Sequence, residues 1–164
     1  MERTIPSEDL ALAIDAFVRV TNALLRARAE RDGNRFVSEI YAEDGLRYVR
    51  IWMRDVGSQS SSRGSAYCFI DKKGGTVDKK PSQVGDILKP DSWKKPAGGK
   101  RGNVLDASWV GATGPYGVGY LTCPNYAFGA DQTTYGVIKD AILDRKIDAA
   151  VAVAEQALPK KEAS

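Results

Sequence analysis

The residues best suited to chemistry lie in two alternating runs. In Leu46–Asp55 the order LRYVRIWMRD puts Val49, Ile51 and Met53 on one side of an extended chain and Tyr48, Arg50, Trp52 and Arg54 on the other. In Ser65–Asp71, Ala66, Cys68 and Ile70 alternate with Tyr67 and Phe69. Aromatic rings can stack on nucleobases while neighbouring guanidinium groups meet phosphates, so the Tyr48, Arg50, Trp52, Arg54 and Tyr67 face suits a nucleic acid. The alternative is a second layer, a helix, that buries the rings and leaves the arginines at its rim.

A basic segment follows. From Lys72 to Arg101 there are nine basic residues against three acidic ones, a net of +6 in a chain whose total is +3, so the remainder is net −3. Such concentration suits a polyanion better than a neutral small molecule. Lys72, Lys73, Lys94, Lys95, Lys100 and Arg101 are the candidate phosphate contacts. Trp93, beside Lys94 and Lys95, is either a plug at the edge of the core or a stacking platform.

Catalytic and metal chemistry find little support. The chain has no histidine, and its two cysteines, Cys68 and Cys123, form neither a CxxC pair nor a ligand cluster. No zinc site and no histidine-assisted nucleophile is therefore expected. Asp71-Lys72-Lys73, with Asp55 or Glu39 nearby in sequence, loosely matches the acid-x-Lys arrangement of magnesium-dependent nucleases. Asp, Lys and Gly after a strand are far more often only a turn. The expectation is a non-enzymatic protein with no catalytic residue, metal or cofactor.

The elements that must position these residues follow from periodicity. Ser7 with Glu8 and Asp9 starts a helix whose apolar positions, Leu10, Ile14, Phe17, Val18, Leu24 and Leu25, continue to about Arg31, where Asp32-Gly33-Asn34 stops it. Arg35–Tyr41 and Leu46–Val56 flank a turn ending in Asp44-Gly45 and predict a hairpin. Gly57–Gly64 reads as a mobile link, Ser65–Asp71 as a third strand, Thr76–Gly85 as a loop with at most a short edge strand, and Gly85–Lys89 as a strand ended by Pro90. Regular structure is not expected in Asp91–Asn103, with Pro96 and Gly98-Gly99. Val104–Val110 is a short strand or a turn. Gly111–Gly119 reads as an irregular surface loop, since it lacks the lysine of a phosphate-binding loop. A second long amphipathic helix spans about Thr134 to Leu158. The whole is a single α+β domain over 1–164: a small antiparallel sheet of three to five strands packed with long N-terminal and C-terminal helices. Residues 1–6 and 160–164 are expected to be flexible, and 72–103 to form a basic, loop-rich segment. There is no apolar run of about 18 residues and no charged-then-apolar leader at Met1–Glu8, so no membrane contact is expected and the cytoplasm is the expected compartment.

The order Tyr48-Val49-Arg50-Ile51, Ala66-Tyr67-Cys68-Phe69-Ile70-Asp71, Gly85-Asp86-Ile87-Leu88-Lys89-Pro90-x-Ser92-Trp93-Lys94-x-Pro96-Ala97 and Arg101-Gly102-Asn103-Val104-Leu105-Asp106 resembles small, largely uncharacterised proteins encoded by bacteriophages. The resemblance covers roughly the middle third and leaves both long helices outside. It implies a viral or mobile-element setting, hence a host cytoplasm, and brings no assigned chemistry. The lysine-rich Lys72–Val84 stretch departs from the pattern. Two functions are carried forward. The first is an accessory protein that binds nucleic acid, single-stranded or non-specifically, through the aromatic and basic face and the lysine-rich loop. The alternative is a protein-interaction or structural component of a viral particle or host-takeover complex. In that case its long helices would bind a second copy or a viral or host protein.

Overall fold

The computed structural model describes residues 7–33, 37–56, 64–115, 117–118 and 128–158. Helix α1 (Ser7–Asp32) is followed by β1 (Val37–Asp44), β2 (Tyr48–Val56) and β3 (Ser65–Asp71). Next come a short hairpin of β4 (Gly75–Val77) and β5 (Lys80–Ser82), then β6 (Asp86–Pro90) and β7 (Pro96–Asn103). A two-stranded ribbon, β8 (Thr113–Gly114) and β9 (Gly117–Val118), leads to α2 (Gln132–Leu143) and α3 (Ile147–Glu155). Strands β1-β2-β3-β6-β7 form one antiparallel sheet in that order. The fold is α+β, with the N-terminal and C-terminal helices as expected.

The main core lies between the sheet and α1. Val49, Ile51, Cys68 and Ile70 are buried together with Phe17, Val20 and Leu24, and Met53 packs against them. The predicted inward set of β2 is therefore the observed one. Helix α1 is buried on nearly every side in its middle, because the sheet takes one side and α3 another. Arg19 bonds Asp148 and Arg26 reaches Glu155 at 3.4 Å. Both partners advance by seven residues, so α1 and α3 run parallel along this seam, with one contact every two turns. Asn22 grips the outer edge of β1: its side-chain amide donates to the Ile40 carbonyl at 3.0 Å and its oxygen accepts from the Ile40 N–H at 2.7 Å.

Four expectations are corrected. The C-terminal helix is two helices. Arg145 adopts φ +60 between them. The Lys146 N–H bonds the Ala141 carbonyl at 2.8 Å and the Arg145 N–H bonds that of Ile142 at 3.0 Å, which is the Schellman closure with arginine where glycine is usual. The Arg145 side chain bonds Asp9 at 2.7 Å, a contact that accompanies this unusual conformation. Thr76–Gly85 is not a loop with an edge strand. Asp78 and Lys79, both at positive φ, make the two-residue turn of the β4–β5 hairpin. Asp91–Asn103 is not irregular, since β7 spans most of it. Gly98 and Gly99 serve hairpin packing, because a Cβ on Gly98 would lie 2.5 Å from the Val77 carbonyl oxygen. Finally, Gly111–Gly119 is not a surface loop throughout. Ala112, Thr113 and Gly114 are buried, and the turns before them drop Trp109 into the core, edge-on to Phe17 at 4.9 Å. The link 57–63, Cys123 and both termini expected to be flexible lie outside the described residues.

Candidate nucleic-acid interface

The sheet face opposite α1 is covered at one end by the β4–β5 hairpin and not by a helix. Val77 packs there on Phe69 and Leu88, with Tyr48 against them and edge-on to Phe69 at 5.9 Å. Burial raises the Tyr48 hydroxyl pKa. Asp71 is fully buried at the end of β3. It accepts from Ser82 Oγ at 2.6 Å, the Lys73 and Gly74 amides at 3.0 Å each and Arg47 at 3.4 Å. Burial pushes its carboxyl pKa up, but these four donors outweigh that and hold it below the ordinary value. Asp71 is thus a turn and hairpin anchor. The acid-x-Lys arrangement is dispersed. Asp71 stands opposite Tyr48, and Asp55 is seven residues further along β2, about 24 Å away at 3.4 Å per residue.

The predicted aromatic and basic face divides. Tyr67 leaves it. The β2–β3 register shifts after Ile51, so Tyr67 is the extra residue of a bulge and turns to the helix side, near Phe17. There it donates to the Gly114 carbonyl at 2.7 Å. Trp52 stays on the face but is only 3% exposed. Arg54 donates twice to Glu39 at 2.9 and 3.0 Å and lies over the Tyr41 ring at 4.7 Å. Arg50 is 3.9 Å from Glu43 and donates to the Lys94 carbonyl at 3.5 Å. The strand arginines are therefore matched by carboxylates of β1, which the sequence pattern of β2 alone did not reveal.

The basic segment behaves differently. Lys72 bonds Asp44 at 2.7 Å, and Lys95 lies 3.6 Å from Asp91. Arg101 is half-buried. Lys73, Lys79, Lys80, Lys89 and Lys100 are exposed and have no ion-pair partner among the described residues. Lys100 stands opposite Leu88 on β7, and Lys80 belongs to the hairpin that crosses β7 at Gly98–Gly99.

Trp93 is 54% exposed in the β6–β7 connection, with Lys94 Nζ 5.1 Å from its ring centre. It is therefore an exposed indole and not a core plug. Between it and the strands runs a groove of about 610 Å³, lined by Trp52, Gly64, Ser65, Ala66, Pro90, Ser92 and Trp93. The groove is open, and the residues beside Trp52 are small. At Gly64, with φ +88, a Cβ would fall 1.9 Å from the Met53 carbonyl oxygen, so a side chain has no room there. Ser65, Ala66 and Pro90 were not among the predicted contacts; only their small size beside Trp52 could have signalled them.

The quoted Gly85–Pro90 and Arg101–Asp106 segments form a scaffold for this face. Asp86 accepts from the Gln83 amide and the Asn103 side chain at 2.9 Å each, and Asn103 also donates to the Val84 carbonyl and accepts from the Leu105 amide. A Cβ on Gly85 would lie 2.6 Å from Asn103 Oδ1, and one on Gly102 3.1 Å from the Trp109 backbone. Among the described residues no three histidine, cysteine, aspartate or glutamate side chains cluster as metal ligands, and no helix is long and apolar enough to cross a membrane. No curated protein and no solved structure matches the chain significantly. A family model does match residues 11–112, from α1 through the turn that buries Trp109 and across more than half of the chain. The chain belongs to that family, a family of unknown function designated DUF7717.

Proposed function

We propose that the protein binds nucleic acid without catalysis, as a phage-type accessory protein acting in the host cytoplasm. It meets the phosphate backbone with lysines of the 72–101 segment and offers Trp93 for stacking. One observation carries this reading: positive charge without a carboxylate partner among the described residues sits on Lys73, Lys79, Lys80, Lys89 and Lys100, in the same segment as the exposed indole, while the strand arginines are paired. Compared with the sequence expectation, this reading drops the β2 face and keeps the lysine-rich segment with Trp93.

The test is a titration with single- and double-stranded DNA and RNA at 50 and 200 mM salt. Each lysine that neutralises a phosphate contributes about 0.7–0.9 to the slope of log affinity on log salt. Replacing Lys79, Lys80 and Lys100 by glutamine should flatten the slope by about 2–3 on that basis, while Arg50→Gln with Arg54→Gln should change it by less than about 1. Absence of binding at 50 mM salt, or a slope that follows the arginines and ignores the lysines, refutes the reading.

The second reading, a protein-interaction or structural component that assembles through its helices, draws on exposed Val137 and Leu143 of α2 and Leu12 of α1. The rest of α1 is largely occupied by the sheet and α3, which leaves α2 as the principal free helical surface. A solution mass equal to one chain at micromolar concentration counts against it.

A further inference from the structure

We propose that the groove between Trp52 and Trp93 is a socket for a single unpaired base, so that the protein distinguishes an unpaired strand from a duplex. This rests on the nucleic-acid reading above and specifies which form of nucleic acid the site takes.

Tyr41, Trp52 and Ala66 are cross-strand neighbours on the face away from α1, and Pro90 pairs with Pro96 at the same end of the sheet. The adjacent row is Glu43, Arg50, Phe69, Leu88 and Lys100. Rows two residues apart are separated by about 7 Å along the strands, and Lys100 on β7 is one strand, about 4.8 Å, across from Pro90 at the groove edge and three strands, about 14 Å, from Trp52, a span that one extended strand of a few nucleotides covers. Trp93, half in solvent, lines one side, nearly buried Trp52 lies beneath, and Ser65 and Ser92 add the few polar atoms. A groove of about 610 Å³ falls in the range that holds a small organic group.

Charge complementarity selects the occupant. Lys94 lies over the Trp93 ring, and the lysines of the hairpin and β7, without an ion-pair partner among the described residues, continue the positive surface on the same sheet face. An aromatic ring with phosphates attached matches both features, whereas an apolar peptide would use only the indoles. Inside a duplex each base face is covered by its neighbours, so only an unpaired base can lay a face on Trp93. Because every base has such a face, the socket is tolerant of sequence.

Arg50 is a positioning residue here. Its bond to the Lys94 carbonyl and its proximity to Glu43 tie the Trp93 connection to β2, which fixes the width of the groove.

The experiment uses the full chain and three probes of equal length, about a dozen nucleotides: an oligothymidylate, the same backbone made wholly of abasic sites, and a duplex. The abasic strand keeps the charge and removes the rings. Oligothymidylate should quench tryptophan fluorescence and bind about 5- to 150-fold tighter than the abasic strand, the worth of one stacked base. Trp93→Ala should erase that ratio and leave abasic binding and the melting temperature unchanged. Arg50→Gln should shrink the ratio, and Arg50→Lys should restore part of it. Equal affinity of the wild-type protein for oligothymidylate and the abasic strand overturns the socket and leaves the nucleic-acid reading standing. Failure of all three probes to bind at low salt overturns both. Quenching by an oligoproline peptide with none by oligothymidylate assigns the groove to a protein partner and overturns the proposal.

Discussion

Replacing Asp71 tests whether the hairpin that covers the far sheet face is held by one carboxylate. Asp71→Ala leaves the Ser82 hydroxyl and the Lys73 and Gly74 amides without their acceptor, and frees one Arg47 contact. At roughly 1 kcal/mol for each of the first three, and little for the partly exposed Arg47, the loss is about 3–4 kcal/mol. For a chain of this size 1 kcal/mol moves the midpoint by about 2–4 °C, so Tm should fall by about 6–16 °C. Asp71→Asn gives the sharper signature. The carboxyl is held below its ordinary value of 3.8, so its contribution is complete above that value and disappears as pH falls through the folded pKa. The stability gap between wild type and Asp71→Asn should therefore be full from about pH 5 upward and close below about pH 4. Thermal unfolding followed by circular dichroism between pH 3 and 8 measures it. A gap that is independent of pH, or an Asp71→Ala cost below about 1 kcal/mol, would show that apolar contacts of Val77 hold the hairpin and the carboxylate does not.

Two further outcomes follow from packing. Trp52→Ala empties a buried site and should cost about 3–5 kcal/mol, or roughly 6–20 °C, whereas Trp93→Ala should stay within about 2 °C because its ring is half in solvent; equal melting shifts would mean that both indoles belong to one core. Gly64→Ala forces a Cβ into the Met53 carbonyl at positive φ, so protection of the β2–β3 amides from hydrogen exchange should fall before that of β1–β2; uniform protection would show that the strands can shift to admit the methyl.

Much of the architecture was legible because burial writes itself into periodicity. The α1 stripe and the Val49, Ile51 and Met53 alternation predicted the elements and the inward face correctly. The bulge at Tyr67 was not legible, since an extra residue changes which side a chain faces without changing composition. Neither was the break in the C-terminal helix. It ends at a left-handed Arg145 without glycine or proline, and the ion pair that accompanies this conformation is with Asp9, 136 residues earlier. Proline and glycine in Asp91–Asn103 argued against regular structure, although Gly98 there lets a hairpin approach a strand. For the site, the sequence located the positive segment and Trp93, but which cations remain available depended on cross-strand partners. Glu39 and Glu43 lie opposite Arg54 and Arg50 only once β1 is in register.

The grip of Asn22 on Ile40 has a consequence for the order in which the chain becomes safe from its neighbours. A border strand offers its backbone to any other extended chain, and β1 is such a strand at eight residues. The side chain that occupies the outward donor and acceptor of Ile40, at its middle, is only 18 residues upstream, and closing a loop that short costs little entropy. The guard of this border is therefore synthesised before the strand it guards. It can dock while most of the sheet is still unmade, so a nascent chain meets crowded surroundings with the middle of β1, at Ile40, already spoken for.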